Sequence, residues 1–208
     1  MLGKSGVKAR IAVLVSGGGT NLQALIDAQD KGIIKSGEIV LVISNKAGAY
    51  ALERAEKAGI KAETVLRRDA GSQEAFEERL HEFLSENKID LIVMAGFMSI
   101  LSGSFTARYP DRIINIHPSL IPSFCGKGFY GLHVHEAALE YGVKVTGATV
   151  HFVNEIPDGG KIIMQKAVEI EEGDTPETLQ KRVMEQAEWK LLPMAAEKVS
   201  REFVMRNA

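Results

Sequence analysis

RIAVLVSGGGTNLQALID, residues 10–27, changes its hydrophobic period partway along. Residues 11–15 are apolar without a break, as expected of a strand buried on both faces. SGGGTN at 16–21 is turn chemistry, and residues 21–31 then place Leu22, Leu25 and Ile26 at helical spacing. Strand, glycine turn and helix together form the opening unit of a parallel α/β sheet.

The alternation continues downstream. Residues 38–44 (EIVLVIS) read as a second strand, and 50–58 as an amphipathic helix stopped by Gly59. Residues 61–66 form a short third strand. Residues 72–86 open on serine and glutamate and hold Phe76, Leu80, Phe83 and Leu84 on one face. DLIVMA at 90–95 is a fourth strand and 112–116 a fifth. After residue 140 the pattern changes: 144–153 and 161–170 are strands joined by EIPDGG with no helix between, so they should pair antiparallel. A closing helix over 175–199 is capped by Asp174 or Thr175, with Pro176 in its first turn. The expectation is a single α/β domain over 1–208: a Rossmann-like, mostly parallel sheet with helices on both faces and antiparallel strands in the C-terminal half. Its Rossmann-like part covers about 10–110 and its more irregular part about 111–200.

The chain has 208 residues, 45% hydrophobic and 25% charged, with 25 basic against 27 acidic side chains and a net charge of −2. That balance, with no Lys/Arg tract, leaves no electrostatic footprint for nucleic acid. The apolar runs are too short for a membrane span. MLGKSGVKARIAVLV starts basic, but its short apolar run enters a glycine turn, unlike a signal peptide. Cys125 is the sole cysteine, so no internal disulfide can form, and a cytoplasmic location is expected.

SGGGTN lies between a strand and a helix, where backbone N–H groups and the positive helix end favour an anion. It is not a dinucleotide fingerprint, because Leu22 stands where a third glycine belongs. The second strand also ends in Ser44-Asn45-Lys46, with no acid for a ribose. Nor is it a P-loop. A small phosphorylated metabolite suits it; a turn that only packs strand to helix is the other reading.

In RIINIHPSLIP, residues 112–122, an isoleucine-rich strand delivers Asn115 and His117 to one face at its carboxyl end, where open sheets bind ligands. An amide that donates and an imidazole that moves a proton suit a reaction developing negative charge on oxygen. Spacing leaves open a histidine that merely caps the strand. Asp158, in PDGG, reads first as a turn aspartate. His133, His135 and Cys125 match no standard zinc spacing, so no metal is expected. His81 falls on a charged helix face, and His151 alternates within a strand and could face the core or the crevice.

VLVSGGGTNLQALID, VISNKAGAYALERAEKAGI, LIVMAGFMSIL, IINIHPSLIPSF and VTGATVHFVNEIPDGGKIIMQ occur in the order seen in phosphoribosylglycinamide formyltransferases. The chain resembles that branch of the folate-dependent formyltransferases from residue 10 to about 193. The resemblance implies transfer of a formyl group from 10-formyltetrahydrofolate to the amine of glycinamide ribonucleotide in purine biosynthesis. It casts Asn115, His117 and Asp158 as catalytic, with Asp158 raising the pKa of His117. It implies that Gly19, Thr20, Asn21 and Glu188 contact the ribonucleotide. Gln73, Met98, Ser99, Ile100, Leu101 and Asn115 would serve the folate. Many members carry arginine in place of Ser99 and a basic residue in place of Gln73; Arg67 or Arg68 could compensate at the folate's glutamate tail. From the length of 208 residues, the tRNA-binding and regulatory domains of related enzymes are not expected. The same three catalytic residues would also serve a formyltetrahydrofolate hydrolase, and the SGGGTNLQ loop is what separates the readings. The partners implied are small molecules only; monomer and dimer both stay open, as does the conformation of residues 123–133.

Overall fold

The computed structural model describes residues 6–207; the first five residues of the basic N-terminal stretch lie outside the described residues. The chain forms two compact units, one running up to Ser99 and resuming at Ala196, the other spanning Ile100–Ala195.

The first unit is built from β1 (Ala9–Val15), α1 (Thr20–Asp30), β2 (Gly37–Ser44), α2 (Tyr50–Lys57), β3 (Lys61–Thr64), the single turn α3 (Arg67–Ala70), α4 (Gln73–Glu86) and β4 (Leu91–Met94). Its strands run in the order β3-β2-β1-β4, and every pairing is parallel. Ile11, Val13, Leu14, Val42, Ile43 and Val93 are fully buried, as strands covered on both faces require. The helices supply the cover: α1 buries Leu22, Leu25 and Ile26, and α4 buries Phe76, Leu80 and Leu84. Ser72 caps α4, its hydroxyl accepting the N–H of Ala75.

The second unit holds α5 (Gly103–Thr106), β5 (Ile113–His117), α6 (Leu132–Tyr141), β6 (Val145–Phe152), β7 (Ile162–Glu169) and α7 (Pro176–Val183). β6 pairs antiparallel with both β5 and β7, the latter as the helix-free EIPDGG connection requires. Thr175, not Asp174, caps α7; its hydroxyl accepts the N–H of Thr178 while the Thr178 hydroxyl accepts the N–H of Thr175. The closing helix departs from a plain α-helix. A π-helical turn, Met184–Glu188, separates α7 from α8 (Trp189–Arg206), which runs past the expected end at Val199. Both parts of the expected α/β architecture are therefore present, the parallel strands and the antiparallel C-terminal ones. Among the described residues no helix is long and apolar enough to cross a membrane.

Candidate active site

β5 pairs with β6 so that Asn115 lies opposite His151 and His117 opposite Thr149. The register brings together side chains 36 residues apart: Nδ2 of Asn115 lies 3.2 Å from Nε2 of His151. His151 is fully buried, and its Nδ1–H donates to the Phe152 carbonyl at 2.8 Å. In the neutral ring with its proton on Nδ1, Nε2 accepts from the Asn115 amide; in the imidazolium, Nε2–H faces the Asp158 carboxylate 3.5 Å away instead. With His151 neutral, that bond sets which end of the amide is NH2 and leaves its second N–H for another acceptor. His151, left undecided between core and crevice by the sequence, is the residue added to the expected set.

Asp158 joins them from the β6–β7 connection. It sits at φ 57°, a left-handed conformation that aspartate tolerates better than most residues. The turn reading holds for the backbone, while the carboxylate points inward with 14% of the side chain exposed. One oxygen lies 3.5 Å from Nε2 of His151. The other accepts the N–H of Gly126 at 2.8 Å and lies 3.5 Å from Nδ1 of His117. Burial pushes the Asp158 pKa up, but His151, His117 and the Gly126 N–H together hold it below the usual carboxylate value, so it is ionised at neutral pH.

His117 is 4% exposed. Its Nε2–H donates to the Phe124 carbonyl at 2.8 Å, and Nδ1 faces the Asp158 carboxylate. Both ring nitrogens thus face acceptors, an arrangement that only the imidazolium satisfies in full. Burial nevertheless outweighs the upward pull of Asp158 and the Phe124 carbonyl, with His151 adding to the fall, and the pKa lies below the ordinary histidine value. Asp158 acts on His117 in the expected direction without lifting it past its solution value. Phe124, at φ 48°, and Gly126, at φ 88°, give residues 124–126 the backbone that presents a carbonyl to His117 and an N–H to Asp158.

Thr149 braces the turn after β5. Its hydroxyl donates to the Ser119 carbonyl at 2.7 Å and accepts from the Ile121 N–H and from Gln165. His135, on α6, is wholly buried beside His117, and among the described residues neither ring nitrogen has a hydrogen-bond partner. Burial first, then the neighbouring His117, lowers its pKa to about 4. Cys125 is half-buried, its thiol pushed up by burial and by Asp158. Among the described residues no group of three or more His, Cys, Asp or Glu is placed to hold a metal ion.

The other expected contacts divide between the units. In the first, Gly19 is the N-cap of α1 at φ 71°, Thr20 is exposed and Asn21 is half-buried. A Cβ on Gly19 would lie 2.6 Å from that of Ala51, so both backbone angle and space demand glycine. Ser16, just past β1, donates to Asn45 at 2.6 Å and accepts the Met98 N–H at 2.8 Å; Asn45 in turn donates to the Ser99 hydroxyl at 2.8 Å. Ser99 is buried in that network while Met98 is 49% exposed, so the hydroxyl faces inward and the methionine outward. The Gln73 amide donates to Glu77 one turn along α4. In the second unit Ile100 is exposed, Leu101 is buried, and Glu188 is buried at the end of the π-helical turn, an irregularity that often marks functional sites.

Residues 9–196 match the model of the formyl transferase family. The chain is 43% identical over 185 residues to a phosphoribosylglycinamide formyltransferase of Haemophilus influenzae, covering 89% of this chain and 84% of that protein. It is 48% identical over 193 residues to the trifunctional purine biosynthetic protein adenosine-3 of Gallus gallus, of which it spans only 18% while 93% of its own length is matched. The crystal structure of glycinamide ribonucleotide transformylase 1 from Symbiobacterium toebii superposes with a TM-score of 0.88 at 43% identity, over 95% of this chain and 90% of that one. A family match that runs from the first strand into the last helix, passing through every residue of the Asn115–His151–Asp158–His117 cluster, leaves one assignment: the chain belongs to the formyl transferase family.

Proposed function

We propose that the chain is a phosphoribosylglycinamide formyltransferase. It moves the formyl group of 10-formyltetrahydrofolate to the amine of N1-(5-phosphoribosyl)glycinamide, giving formylglycinamide ribonucleotide and tetrahydrofolate. The observation that carries this reading is the buried cluster in which an amide with one N–H held by His151 stands beside an imidazole facing an ionised carboxylate. Such a set stabilises negative charge on a carbonyl oxygen and moves a proton in the same step.

The bound folate supplies an activated formyl carbon; the chain supplies the rest. The free N–H of Asn115 donates to the carbonyl oxygen as the amine adds and charge develops there. His117 exchanges the Phe124 carbonyl for that oxygen and enters its protonated state, which Asp158 favours from the Nδ1 side. Asp158, ionised at neutral pH, takes up the proton released by the attacking amine, and His117 returns one toward the departing nitrogen. The glycine loop takes the ribonucleotide phosphate on the N–H groups of Gly19, Thr20 and Asn21. Glu188 accepts from the ribose, and Met98 and Ile100 offer apolar surface to the folate, with Ser99, Leu101 and Gln73 supporting that segment.

Incubation with 10-formyltetrahydrofolate, with and without glycinamide ribonucleotide, tests this. Tetrahydrofolate should appear only when the ribonucleotide is present, one formylated amine for each folate released. Deformylation at the same rate without the amine would replace transfer with hydrolysis.

A further inference from the structure

The three glycines of the loop all meet one helix. The Gly17 carbonyl accepts the Ala51 N–H at 3.1 Å, the Gly18 carbonyl accepts Nε–H of Arg54 at 2.8 Å, and Gly19 packs directly on Ala51. Arg54 is held in turn on two further sides. Its Nη1 donates to Oε1 of Gln23 at 2.9 Å, and its guanidinium lies over the Tyr50 ring, 4.9 Å from the centroid. Gln23 is anchored by donating to Asp27 at 2.8 Å.

In a trans peptide the C=O of one residue and the N–H of the next point in opposite directions. Tying the carbonyls of Gly17 and Gly18 to α2 therefore aims the N–H groups of Gly18 and Gly19 away from α2. Glycine resists such fixing more than any other residue, because it has the most backbone freedom to lose. Something must hold the loop for those N–H groups to stay aimed. A guanidinium can do so, since its rigid fork reaches a carbonyl and an amide oxygen at once while its face rests on an aromatic ring.

We propose that Arg54 is a positioning residue for phosphate recognition. It holds the Gly18 peptide so that the glycine loop presents its N–H groups to the substrate's phosphate without itself needing to touch it. This inference rests on the reading of that loop as the ribonucleotide phosphate site.

The test compares the wild type with Arg54→Lys and Gln23→Leu, using glycinamide ribonucleotide and the glycinamide riboside that lacks the phosphate. Lysine keeps the charge but, as a single-point donor, cannot bridge Gly18 and Gln23. For Arg54→Lys, KM for the ribonucleotide should rise about tenfold or more, with kcat and KM for the formyl-folate within about twofold. Gln23→Leu, which removes only one arm of the fork, should show the same split to a smaller extent. With the riboside, mutant and wild type should behave alike. A wild type that handles ribonucleotide and riboside equally would sink the loop reading itself and the role of Arg54 with it. A wild type that discriminates, paired with an Arg54→Lys variant that has an unchanged ribonucleotide KM, would overturn the Arg54 proposal alone. Equal losses on both substrates, or a parallel fall in melting temperature and kcat, would mark Arg54 as a general structural residue and overturn it as well.

Discussion

Asn115 and His151 are partners twice over, opposite each other in the register of β5 and β6 and joined side chain to side chain at 3.2 Å. When His151 is neutral and its Nδ1 proton goes to the Phe152 carbonyl, its other nitrogen accepts, and the Asn115 amide is held with a donor toward it. In the proposed mechanism Asn115→Ala removes the donor to the developing oxyanion, and kcat should fall by about a hundredfold or more. His151→Phe keeps volume in the sheet but leaves the amide free to turn, so a loss of roughly ten- to a hundredfold in kcat is expected. Steady-state kinetics read both, with thermal melts confirming that the variants are folded. A His151→Phe enzyme within twofold of wild type would show that Asn115 needs no such restraint.

Asp158 lifts the pKa of His117 against the larger effect of burial. Asp158→Asn removes that lift while keeping a residue that tolerates φ 57°. The His117 imidazole should therefore titrate lower still in the variant, and NMR of the ring protons reads the change directly. Turnover should fall by about a hundredfold or more, because the carboxylate proposed to receive the amine's proton is gone. The pH–rate profile is the second readout. A rate that requires charged His117 should decline as pH rises through its folded pKa, and that decline should begin at lower pH in Asp158→Asn. An unmoved His117 titration would show that the carboxylate does not face it in solution.

The fold was legible because its signals are local. Unbroken apolar runs such as IAVLV, glycine turns and single-faced helices each announce one element, and α/β topology follows from their alternation. Asn115 and His117 were legible as a pair because strand periodicity alone puts them on one face. His151 was not, because its place depends on the β5–β6 register, which no turn chemistry pins across the intervening α6. Asp158 reads as a turn residue because it is one; the proposed second role rests on the inward direction of its carboxylate, which turn chemistry does not signal. Arg54 was hidden for a similar reason, since on α2 it reads as one more surface charge until the Gly18 carbonyl is found beneath it. The π-helical turn before Trp189 has no signature in hydrophobic period, so the pattern predicts one continuous last helix.

His135 makes a prediction about stability instead of rate. It is buried on α6 with both ring nitrogens unpartnered, and its pKa is lowered to about 4. An unfolded histidine titrates near 6.5, so between those values the unfolded chain binds a proton that the folded chain refuses. The stability contributed by keeping His135 neutral is fully present above pH 6.5 and is lost as pH falls toward about 4, a change on the order of 3 kcal/mol if this group acts alone. His135→Leu should remove that share of the pH dependence. It also replaces two unsatisfied buried nitrogens with apolar atoms, so it should be as stable as wild type at pH 7 and more stable at pH 5. Urea midpoints at the two pH values measure this, with the exposed His133, paired to Glu136, providing a control in His133→Leu. If His135→Leu loses stability at pH 7 and keeps the wild-type slope toward acid, the imidazole is partnered in solution, and the acid sensitivity lies with His117 and its carboxylate instead.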